Sequence, residues 1–178
     1  MLPFFWLPGD GLLERSRRDR VPYQVWADDG HLQLTEGSII DYAAIRERVH
    51  DIAERFDLVE IAYDRWNATG LTTQLEGDDL TVVPFGQGFA SMSAPTKELE
   101  KLVLGRQIAH GGHPVLRSNV SNAMVRQDPA GNYKLDRAKS RARIDGVVAL
   151  AMAIGRAMVQ QEEPRSVYDE RGILWIPW

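Results

Sequence analysis

The chain has 178 residues, 44% of them hydrophobic, enough for one domain with a substantial core and too few for two. Charged residues make up 26% and the formal net charge is -4, an ordinary balance that carries no global basic signature for nucleic acid. The absence of cysteine excludes disulfides, thiolate catalysis and sulfur-ligated zinc, and suits a reducing cytoplasm. The longest apolar stretch, Val147 to Met158, is interrupted by Gly155 and Arg156 and falls well short of the roughly 20 residues that a membrane span needs. The apolar start, Met-Leu-Pro-Phe-Phe-Trp-Leu-Pro, has no basic leader and two prolines, so it reads as a strand entered in mid-domain and not as a signal peptide.

Residues 2–7 predict a strand, closed by the turn Pro8-Gly9-Asp10-Gly11. Leu12 to Arg20 predicts a charged helix in which Arg15, Arg17, Arg18 and Arg20 form the densest basic cluster, read first as a solvated face. Pro22 to Ala27 suits a helical turn and His31 to Thr35 a brief strand. Asp41 should cap a helix whose Ile45, Val49 and Ile52 recur at helical spacing up to about Phe56. The run Leu58 to Asp64 predicts a central strand buried on both faces, with Asp64 at its carboxyl end. A helix over Asn67 to Leu75 and a β-branched strand over 80–84 follow, and this alternation implies parallel strands joined by crossovers. A glycine-rich loop over 85–94 leads to a helix from Pro95 to about Leu104, ended by Gly105. After the loop His110-Gly111-Gly112-His113-Pro114 come a helix over 115–124 and a hairpin turning at 128–132. A long helix from about Arg141 to Gln160 completes a domain over 1–160, leaving a tail over 161–178.

Asp64 is the first candidate for chemistry, because open α/β sheets place ligands at the carboxyl ends of their strands. A buried carboxylate there needs compensation, which a divalent cation with hard oxygen ligands supplies; the alternative is a cap for the next helix. Asp145 is the second. It shares a helical face with Val148, Ala149 and Met152, which aims it inward, although an acid in a first helical turn also offsets the macrodipole. The stretch Lys134 to Asp145 holds Lys134, Arg137, Lys139, Arg141 and Arg143 beside that acid, as a phosphate-facing rim or as a solvated face. Asp136 is either a third metal ligand or a hairpin-end charge. His110 and His113 lack a third ligand for a metal site. No G-x-x-x-x-G-K-[ST] and no G-x-S-x-G occurs, so neither a P-loop nor a nucleophile elbow is present.

Tyr63-Asp64-Arg65-Trp66, Pro95-Thr96-Lys97-Glu98-Leu99-Glu100, His113-Pro114-Val115 with Ser118-Asn119-Val120, and Lys139-Ser140 ahead of Arg143-Ile144-Asp145-Gly146 together resemble the C-terminal nuclease half of phage terminase large subunits. Phe4-Phe5-Trp6-Leu7-Pro8 fits too, and the resemblance runs to about Met158. It implies an RNase H-like mixed sheet flanked by helices, which cuts concatemeric double-stranded DNA during packaging in the host bacterial cytoplasm. It also implies two Mg2+ or Mn2+ ions held by acids. Asp64 matches the acid on the central strand and Asp145 the acid on the C-terminal helix, with Asp136 a candidate third metal ligand and Lys139, Arg141 and Arg143 candidates for the DNA backbone. The family's partners are its own ATPase motor domain, the small terminase subunit and the portal. The family's first catalytic aspartate lies on a strand expected upstream of Met1, so the sheet should lack its first strands and the site one ligand. Asp10, in a Pro-Gly-Asp-Gly turn, is a poor substitute. An open sheet edge would favour self-association. The other readings are an inactive DNA-binding or assembly module and an RNase H-like nuclease of another kind, such as a resolvase.

Overall fold

The computed structural model describes residues 1–65 and 69–162. It begins with a small unit. Strand β1 (Trp6–Pro8) leads through helices α1 (Leu12–Asp19) and α2 (Tyr23–Asp28) to β2 (Gln33–Thr35), which pairs with β1 in parallel, Trp6 opposite Gln33 and Pro8 opposite Thr35. Pro8 has no N–H to give, and the ladder ends with Gly9 N–H donating to Thr35 O at 2.8 Å. Leu12, Tyr23 and Leu32 are buried in this unit, with Phe5, Leu7, Val21 and Trp26 packed around them.

Helix α3 (Tyr42–Arg55) starts where Asp41 accepts from Ala43 N–H at 2.9 Å, the cap expected of it. Strands β3 (Ile61–Asp64) and β4 (Val82–Phe85) pair in parallel through α4 (Thr69–Gly77), Ile61 opposite Val82 and Asp64 opposite Phe85. Helices α5 (Phe89–Leu104) and α6 (Pro114–Asn122) follow, then the antiparallel hairpin β5 (Val125–Gln127) and β6 (Tyr133–Leu135), and last α7 (Asp145–Glu162). The main core joins Phe85, Met92, Leu99, Ile144, Val147, Val148, Ala151 and Met152. Two glycines of α7 permit its closest packing. A Cβ on Gly155 would stand 2.7 Å from Pro95 Cγ and 2.8 Å from Phe85 Cζ, and one on Gly146 would stand 2.6 Å from the Phe5 ring. Arg156 pairs with Glu60, just before β3, while Gln87, just after β4, donates to Met152 Sδ. The carboxyl end of β4 therefore lies against the middle of α7, at Met152 and Gly155.

Several expectations are corrected. Among the described residues the strands form three separate pairs, two parallel and one antiparallel. The first strand begins at Trp6, not Leu2. Strand β3 is half-buried along its whole length instead of buried on both faces, since its pairing partner among the described residues is β4 alone. The loop expected over 85–94 is already helix from Phe89, and Pro95 lies buried inside α5. Thr96 Oγ1 donates to Met92 O at 2.6 Å, one turn back, beside the backbone bond that the proline cannot make. Past the end of α5 it is Arg106, at φ 55, and not Gly105, that takes the left-handed conformation. Helix α7 begins at Asp145 rather than Arg141, because a turn over 137–139 and bends over 140–142 precede it. Residues 67–68 of the helix expected from Asn67, and the tail from residue 163 onward, lie outside the described residues.

Candidate functional site

Asp145 opens α7, and the inward stripe of that helix is Ile144, Val147, Val148, Ala151 and Met152, all buried. Ala149 is exposed, so the face that Asp145 shares with it turns toward solvent; the inward aim expected of Asp145 is corrected, and its side chain is 59% exposed. Arg137 approaches it at 3.4 Å. The start of α7 is fixed from below by Asn119 on α6. Its Oδ1 accepts from Gly146 N–H at 2.7 Å and its Nδ2 donates to Val115 O at 3.0 Å, which satisfies a buried amide and an otherwise unpaired helix-start donor together. Asp64 is half-buried at the carboxyl end of β3, opposite Phe85 of β4. Asp136 closes the hairpin end: its Oδ1 accepts from Ala138 N–H at 2.9 Å and Lys139 N–H at 3.3 Å. Of its two expected roles, the hairpin-end role is visible in these bonds. Among the described residues, no three His, Cys, Asp or Glu side chains stand together as a metal ion would require.

Beside Asp145 lies a cleft of about 520 Å³. One wall is the end of α1 and the start of α2, with Arg18, Asp19 and Tyr23; the other is the turn leading into α7, with Arg137, Ser140, Arg141, Arg143 and Asp145. Asp19 is the knot between the walls. It accepts from Arg18 Nε at 2.8 Å and from Tyr23 Oη at 3.1 Å, and Arg143 Nε stands 3.8 Å from it across the cleft. The Arg18 hydrogen bond, against a partial burial that opposes it and with help from Tyr23, holds the Asp19 carboxyl below the usual carboxylate range. Burial, and then the bond to Asp19, push the Tyr23 phenol up. Of the three cations expected to hold DNA, Arg141 and Arg143 line this cleft, while Lys139 is exposed on a neighbouring hollow with Tyr133 and Leu135. Sequence reasoning read Arg18 as part of a solvated face and gave Asp19 and Tyr23 no role, since nothing local ties them to a turn more than a hundred residues away. Asn119 did leave a signal, an amide on the same helical face as the buried Val115 and Leu116.

The histidines pack instead as a cluster. The His113 ring lies 5.2 Å from Phe5 and 5.0 Å from His31. Burial, with His31 and His110 nearby, lowers the His113 pKa.

Fold and site define a mixed α/β domain in which a helix-start acid borders an arginine-lined cleft. A family model, terminase large subunit, endonuclease domain, matches residues 4–162, and the chain belongs to that family. It is 40% identical over 172 residues to the terminase large subunit of Enterobacteria phage HK97, covering 96% of this chain and 34% of that protein. It is 33% identical over 167 residues to protein YmfN of Escherichia coli strain K12, covering 90% of this chain and 37% of the other. The crystal structure of the HK97 bacteriophage large terminase matches with a TM-score of 0.79 at 41% identity, over 86% of this chain and 32% of that one. The chain thus spans about a third of the length of these relatives. No helix among the described residues is long and apolar enough to cross a membrane.

Proposed function

We propose that the chain is a DNA endonuclease domain of RNase H-like fold, cutting concatemeric double-stranded DNA during packaging in the host cytoplasm. The observation that carries this is the placement of Asp145, in a member of the terminase endonuclease family, at an anchored helix start beside four cleft arginines. Asp64 and Asp145 are the proposed acids. Carboxylate oxygens suit Mg2+ or Mn2+, and such an ion supplies an activated water and stabilises the leaving oxygen. The fit is partial. Asp64 closes β3 and Asp145 opens α7, Asp136 has one oxygen committed to its turn, and no trio of such side chains forms among the described residues. In this reading Asn119 fixes the backbone under Asp145, Arg137 meets its charge, and Arg141 and Arg143, with Lys139 alongside, attract phosphates. The motor domain, the small subunit and the portal are proposed partners of the longer protein.

The partial acid set favours one second reading, a module that binds DNA without cutting it. Calorimetric titration with Mn2+ tests the acid assignment. Asp64→Ala and Asp145→Ala are each expected to weaken binding at least tenfold, and unchanged affinity in both would remove the assignment.

A further inference from the structure

The basic cluster of α1 does not act as one solvated face. Arg15 is taken up internally, its Nη1 donating to Pro8 O at 2.6 Å. Arg17 is exposed and does not line the cleft. Arg18, whose side chain is 65% exposed, turns into the cleft and faces the arginines of the turn before α7. Asp19 binds the Nε edge of Arg18, at 2.8 Å, and Nη2 more loosely at 3.4 Å, which leaves Nη1 with no protein acceptor among the described residues. The same carboxylate attracts Arg143 from the opposite wall at 3.8 Å, so one acid orients two guanidinium groups toward a shared space. Four arginines against Asp19 and Asp145 leave the cleft two positive charges in excess, although the chain as a whole carries -4. A guanidinium fork presents paired donors that match phosphate oxygens, and a channel with cationic walls on both sides tracks a phosphodiester backbone.

We propose that this cleft is a DNA-backbone channel: Arg18 from α1 and Arg137, Arg141 and Arg143 from the turn before α7 grip successive phosphates from opposite walls. Asp19 and Tyr23 are positioning residues that hold Arg18 and Arg143 in place. The channel opens beside Asp145 and delivers the strand to that acid. This inference rests on the DNA-binding reading above. It adds that the small amino-terminal unit forms half of the grip.

The test is fluorescence anisotropy of a short duplex with the full chain in EDTA, over a series of salt concentrations. Each phosphate contact contributes about 0.9 to the slope of log affinity against log salt. Arg18→Gln is expected to lower that slope by about one unit and to weaken binding severalfold at low salt, while Arg17→Gln, which removes the same charge outside the cleft, leaves the slope unchanged. Arg141→Gln and Arg143→Gln should lower it as Arg18→Gln does. If Arg18→Gln behaves like Arg17→Gln while the Arg141 and Arg143 variants lose slope, the two-walled channel is overturned and the DNA-binding reading stands. If the unaltered chain shows no salt-dependent binding, both fall. Circular dichroism of each variant confirms that its fold is kept.

Discussion

The two halves of the molecule are built to different standards. The body from β3 to α7 closes over eight buried residues, with Ala151 fully enclosed and α7 drawn close to α5 and β4 at Gly155. The amino-terminal unit closes over three, Leu12, Tyr23 and Leu32, and meets the body through Phe5 against Gly146, through His113 packed on Phe5 and His31, and through the Asp19–Arg143 pair. The cleft lies at that junction, so its far wall and Asp145 stand on the stronger half and its near wall on the weaker. Elements with few buried contacts open at lower free energy, and a binding wall drawn from such an element is adjustable in a way the acid is not.

The difference is most sharply broken in the body. Phe85→Ala should cost about 3–5 kcal/mol and lower the midpoint of the whole cooperative unfolding transition in urea. Leu12→Ala should cost about 2–3 kcal/mol, at the low end for such truncations. Hydrogen exchange should show the loss in α1 and α2 with α7 unchanged, and duplex affinity should fall with it. Equal loss of protection in α7 would make the two halves one cooperative unit. Asn119→Ala should cost about 1–3 kcal/mol by stranding the Gly146 amide, read as a drop in thermal midpoint. Asp41→Ala, the loss of a helix cap, should cost about 1 kcal/mol by the same measurement.

A pH effect is the smallest and bears on the tie between α3 and the body. Arg46, chiefly by its hydrogen bond, lowers the pKa of Asp78 from 3.8 to about 2, with help from His50, and so ties α3 to the end of α4. Because the folded value lies below the unfolded one, this contribution is complete above pH 3.8 and is lost as the pH falls toward 2. Asp78→Asn should flatten that acid limb of the stability profile, measured by urea unfolding at each pH, and leave the near-neutral slope as it was.

Elements whose signals are local were legible in the sequence. Asp41 with Ile45, Val49 and Ile52 gave α3, and the hairpin turn followed from Asp128, whose Oδ1 accepts from Ala130 N–H and Asn132 N–H, together with Gly131 at φ 81. Features set by tertiary context were not. Pro95 reads as a helix start, yet packing against Gly155 keeps helix on both sides of it. The stripe through Val148 and Met152 suggested that Asp145 points inward, but the buried face also includes Ile144, Val147 and Ala151, which rotates the acid to the rim. Asp64 and Asp145 were singled out by position along strand and helix. The facing wall of the cleft depends on a contact between Asp19 and Arg143, far apart in sequence, and no periodicity encodes that.

The central claim, that Asp64 and Asp145 serve DNA cleavage, is tested most directly by incubating supercoiled plasmid with the chain and Mn2+. The account predicts nicked circles that EDTA prevents and that Asp64→Asn and Asp145→Asn each abolish. Nicking that survives both substitutions, or no Mn2+-dependent nicking by the unaltered chain, would contradict it.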